Sequence, residues 1–84
     1  MKCLVHWSNY GAMITVSVEV RDRHKIDGIA DAVFQATLKA QQELPYLDLH
    51  SGWDCEVWTN SNPKFDETWK AIHEKGDVEH FPSY

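Results

Sequence analysis

Residues 26–44 repeat apolar side chains at the spacing of an α-helix, and a stripe that long must be buried against something. On a helical wheel Ile26, Ile29, Ala30, Val33, Thr37, Ala40 and Leu44 fall in one line. Phe34 and Leu38 widen it on one flank, and Asp31, Gln35, Lys39 and Gln42 fall opposite. The pattern predicts a helix lying on a sheet, with its wider flank left for a second element. Asp27 is placed to cap the first turn, and Pro45 stops the helix because it disfavours helical geometry in the residue before it. A stripe of this kind is a core face far more often than a partner-binding one.

The sheet comes from three shorter runs. Lys2 to Trp7 reads as a strand, and Ser8-Asn9-Tyr10-Gly11 as a turn in which Asn and Gly can take positive φ. Ile14, Val16, Val18 and Val20 then alternate with Thr15, Ser17, Glu19 and Arg21, the period of a strand with one covered face. Trp53, Cys55, Val57 and Thr59 share one side of a third strand, and Asp54, Glu56 and Trp58 the other. Asn62 as cap and Pro63 at the first helical position open a second helix, along which Phe65, Trp69 and Ile72 recur. Gly76 is placed to end it. The expected fold is α+β: a two-layer sandwich with a three-stranded, mainly antiparallel sheet in spatial order 2-1-3 and two helices on one face, connected β-β-α-β-α. Residues 1–76 form one domain, and residues 77–84 a tail that is flexible, docked or added as a short edge strand.

At 84 residues the chain has room for one modest core. Four Trp, three Tyr and three Phe help to fill it. No run of about 18 apolar residues is present, and the apolar run after Lys2 is too short for a signal peptide. A cytoplasmic protein without a membrane segment is expected. Cys3 and Cys55 are too few for a disulfide scaffold and are read as reduced and buried.

The net charge of −5 is unevenly distributed. Acidic and basic residues balance across residues 1–47, so the whole excess lies in residues 48–84. That half is a poor ligand for nucleic acid, whose affinity comes from phosphate neutralisation, and suits a protein with a basic surface. The cluster Arg21–Lys25 is interrupted by Asp22 and reads as a solvated loop rather than a phosphate site.

No catalytic, metal or cofactor set emerges. Cys3-x2-His6 has the spacing of half a zinc site, but strand residues three apart point to opposite faces, and no second pair follows. His50 beside Ser51 is not a triad, and a buried Cys55 would be inert. Asp54 and Glu56 could share a proton or a metal, although a wet acidic face is the commoner outcome. No glycine-rich phosphate loop is present.

Trp58 departs from this plain pattern. It falls on the polar side of the third strand with Asp54 and Glu56, and with His6 if that strand adjoins the first. A tryptophan in an acidic surface is a candidate interface anchor, unless Phe81 or Tyr84 of the tail folds over it. The candidate protein-binding residues are therefore Asp54, Glu56, Trp58, His6 and Glu19. The expected function is a non-enzymatic interaction domain that binds, and inhibits, a protein with a basic surface such as a nucleic-acid enzyme. The alternative is a homo-oligomeric small-ligand or enzymatic domain, a homodimer whose aromatic residues line an interfacial pocket.

A hairpin, a long helix and a strand in this order are loosely similar to several small folds, HicB-like antitoxins among them. In size and acidity the chain is similar to small phage-encoded inhibitors, including anti-CRISPR proteins. That likeness of class implies a viral inhibitor and carries no residue over.

Overall fold

A computed structural model describes residues 1–21 and 25–81. The charged connection across 22–24, the side chains of Ile26 and of the predicted cap Asp27, and residues 82–84 of the tail lie outside the described residues. The alternating run forms a hairpin with its predecessor: β1 (Lys2–Asn9) pairs antiparallel with β2 (Ala12–Glu19). Tyr10 and Gly11 make the turn, with φ of 47° and 89°. Two left-handed residues give the hairpin turn whose twist matches the strands. Asn9, expected to share that role, instead closes the ladder opposite Ala12.

The register assigns the two faces of the sheet. Cys3, Val5 and Trp7 stand opposite Val18, Val16 and Ile14, all six buried on one face. Leu4 opposite Ser17 and His6 opposite Thr15 belong to the reverse.

Helix α1 (Lys25–Glu43) lies across the first face. Its contact row is Ala32, Ala36 and Ala40, fully buried, with Val33 beside it and Leu44 just beyond its end. Ala30 of the expected stripe is exposed. The buried row lies to one side of that stripe, and the sheet already supplies bulk through valine, isoleucine and tryptophan. Alanines let the helix approach and fill the remaining space. The loop after α1 returns Leu47, Leu49 and Trp53 to the same cluster.

Strand β3 (Asp54–Trp58) pairs antiparallel with β1, so the expected 2-1-3 order is present. Helix α2 (Phe65–Glu74) starts two residues later than expected. Asn62 Oδ1 accepts the Lys64 amide at 2.9 Å, a turn ahead of the helix rather than a cap upon it. Phe65, Trp69 and Ile72 are its buried residues, and they cluster with Leu4. Leu4 belongs to the reverse face, so the expectation of both helices on one face is corrected: α1 and α2 sandwich the sheet in three layers. The first face is already closed by α1 and the following loop, and α2 buries an apolar residue that would otherwise be wet.

Gly76 (φ 96°), placed as expected, and Asp77 (φ 73°) turn the chain after α2. Strand β4 (Val78–Phe81) then pairs antiparallel with β2, so the tail docks as a strand over those residues. Among the described residues the sheet therefore has four strands rather than three, in the order β3-β1-β2-β4. The α+β class stands. Among the described residues, no helix is long and apolar enough to cross a membrane.

Candidate functional site

Helix α2 is shorter than the face it covers. Trp69 packs at one end, where its Nε1 donates to the Val18 carbonyl at 3.1 Å and the Lys2 ammonium lies 4.5 Å from its ring centre. The other end of the face stays open as a groove of about 520 Å³. Leu4, His6, Met13 and Thr15 form its floor, and Thr68, Ala71 and Ile72 of α2 its inner wall. Trp58 stands at one side, and Glu79 and Phe81 at the other. The groove has the size of a ligand cleft and mixes an apolar floor with a few polar groups.

His6 anchors the middle of the floor. Its Nδ1 lies 2.8 Å from Thr15 Oγ1, and its ring stacks against Trp58 with centroids 6.2 Å apart. Trp58 remains 38% exposed and Phe81 55%. Phe81 faces Trp58 across the groove rather than folding over it, and Tyr84 lies outside the described residues. Glu67 and Glu79 line the groove with Lys64; Glu79 is paired with Lys75 at 3.3 Å. Glu67 makes no ion pair among the described residues.

The candidate residues separate in space. Trp58, Glu56 and Asp54 stand opposite Leu4, His6 and Ser8, so all three share the groove face. Only His6 and Trp58 line the groove itself. Glu56 adjoins it across from His6, and Asp54 borders a shallow depression with Ser8, Tyr10 and Trp53. Glu19 lies at the opposite end of the sheet, across from Lys2, and is no part of this site. Met13, Thr15, Glu67, Glu79 and Phe81 were missed. The signal was present for Met13 and Thr15, which occupy the wet side of the β2 alternation.

A hydroxyl hydrogen-bonded to an imidazole has the beginnings of a nucleophile–base pair. Among the described residues, however, no group hydrogen-bonds Nε2 of His6 to orient it. Ser17, Asp77 and His73 also come together: Ser17 Oγ donates to Asp77 Oδ1 at 2.7 Å, and His73 Nδ1 lies 2.6 Å from the same oxygen. Ser17 is fully buried and the carboxylate sits between the other two, so this is a clasp and not a triad. Lys39 of α1 joins it, 3.4 Å from Asp77 Oδ2. Burial raises the Asp77 pKa, but the hydrogen bonds from His73 and Ser17 and the Lys39 charge outweigh it, and the net shift is downward.

Cys3 and His6 lie on opposite faces of the sheet. Among the described residues, no three His, Cys, Asp or Glu side chains converge to hold a metal. Both cysteines are free, but Cys55, expected in the core, is exposed. Its strand is at the sheet edge, while both helices concentrate on β1, β2 and β4. Burial raises the Cys3 thiol pKa, partly offset by the N-terminal ammonium, and shielding of the sulfur raises that of Cys55. Neither is an activated thiolate. No family model matches the chain, and no curated protein and no solved structure matches it.

Proposed function

We propose that this chain is a small protein-interaction domain whose groove face binds a partner with a basic surface. The observation that carries the reading is Trp58, an accessible tryptophan beside an open apolar groove, on the same face as Asp54 and Glu56. Large aromatic side chains anchor interfaces, and surrounding carboxylates steer a cationic partner and select against acidic ones. Occupation of such a partner's cationic channel would inhibit it, which is the inhibitory form of the same function. The test is quantitative affinity capture from lysate with three baits: the native chain, Trp58→Ala and Asp54→Lys with Glu56→Lys. One identified protein should be enriched by the native chain at low salt and depleted at least tenfold with either variant, the loss of about 1.4 kcal/mol or more. A set of captured proteins indifferent to both variants would refute the reading.

The groove's volume favours a second reading, a small-ligand site in which a flat apolar molecule sits between Trp58 and Phe81. Native mass spectrometry of the purified chain checks it, since a retained molecule adds mass and none is retained if the groove serves only a protein.

A further inference from the structure

The two edges of the sheet are unlike. β4 is short and half-buried, and both helices pack against it. β3 closes the other edge with four of its five residues exposed, only Val57 being half-buried. Among the described residues, no backbone hydrogen bond outside the ladder with β1 involves Asp54–Trp58. A strand with a free edge is a template for pairing, and natural edges are normally covered, bulged or charged against it. Here the charge is all of one sign: Asp54 and Glu56 on one face, and no basic residue in the strand.

We propose that β3 is a strand-addition site, taking an extended segment of a protein partner with lysine or arginine at alternate positions. Its backbone extends the sheet beyond β3. Its basic side chains lie beside Asp54 and Glu56, with the stem of one against Trp58, and its intervening residues, small or apolar, lie beside Cys55 and Val57. The strand's own pattern selects the occupant. Two copies of β3 paired antiparallel over all five residues would set Glu56 against Glu56, a like-charge pair that opposes self-association. Nucleic acid is repelled by the same carboxylates. This inference rests on the acidic-face reading above and adds to it the backbone geometry of the contact.

Three capped heptapeptides test it against the isotopically labelled full chain at low salt. The first alternates lysine and valine. The second has the same composition in two blocks. The third is the alternating peptide N-methylated on every backbone amide, so that neither of its edges can pair with β3. The alternating peptide should bind and slow hydrogen exchange at the outward amides of residues 54–58. Block order or N-methylation should weaken it by about tenfold or more, the loss of two or three net backbone hydrogen bonds. Equal binding of all three, with shifts around Glu56 and Trp58 but no slowed amides, would overturn strand addition and leave the acidic face standing. Failure of the alternating peptide to bind at millimolar concentration would also overturn it; the acidic face is then judged separately, by the capture variants. Protection of the β3 amides that grows with protein concentration alone would make the occupant a second copy and refute the basic-strand assignment.

Discussion

The two faces of one sheet are treated differently: one is closed along its length and the other is left partly open. The α1 face is closed along β1 and β2: Val5, Trp7, Ile14, Val16 and Val18 are essentially inaccessible beneath an alanine row. The α2 face is closed at one end only, by Leu4, Phe65, Trp69 and Ile72, and open over His6, Thr15 and Trp58. Both faces come from the same strands, in alternation. Both faces contribute core, but only the second leaves part of its floor in water.

Large truncations should expose this contrast most clearly. Trp7→Ala empties a closed site and should cost about 3–5 kcal/mol in urea denaturation. Trp58→Ala should cost less, about 1–2 kcal/mol, because the ring is partly in water and leaves no closed cavity. Comparable losses for the two would mean that the groove face is core, and the binding assignment would fail with it.

The closed end of the α2 face rests on one buried polar contact. Trp69→Phe keeps an aromatic ring but removes part of the indole's bulk together with the donor to the Val18 carbonyl. The expected loss is about 1–3 kcal/mol, with the groove residues' NMR shifts moving and those of α1 staying fixed. A neutral outcome would show that packing alone seats α2.

The Asp77 clasp ties both helices to the sheet, through Ser17 of β2, His73 of α2 and Lys39 of α1. Its folded pKa lies below the ordinary 3.8. Its contribution is therefore fully present above that value and is lost as pH falls through the lower folded one. Asp77→Asn keeps the tolerance for positive φ but removes the charge, and should cost about 1 kcal/mol at neutral pH, limited by solvent screening. The variant's stability should also fall less steeply than the native chain's in acid below that range. Parallel acid profiles for the two would remove Asp77 from the clasp.

Much of this arrangement was legible in the sequence, and the failures have one origin. Period-two alternation located β2 and β3, and it placed Asp54, Glu56 and Trp58 on one side because that side follows from parity alone. What pattern does not encode is which face a later element chooses. Phe65, Trp69 and Ile72 announced a helix with a buried side, yet nothing local says whether that side meets the α1 face or its reverse. The exposed flank of α1 supplied a false lead: Phe34 is 64% exposed and Leu38 48%, and among the described residues no second element covers them. Glu79 and Phe81 were missed for the related reason that β4 had to be in the sheet before they could adjoin the face. His6 and Trp58 lie together as expected, because their proximity needed only the β1–β3 pairing.

The division between faces depends finally on register, since a shift of one residue in the hairpin would exchange them. Tyr10 and Gly11 hold that register, and Tyr10 does so in a conformation that suits asparagine better. The tyrosine is 97% exposed, so its side chain contributes little packing in return. Tyr10→Asn should therefore stabilise the chain by about 0.5–1 kcal/mol, a rise of a few degrees in thermal midpoint, with the cross-strand contacts of Val5 with Val16 and of His6 with Thr15 unchanged. A loss of stability would mean that the Tyr10 ring packs in the depression beside Trp53 and Asp54, and that the rim of the acidic face contributes to the fold.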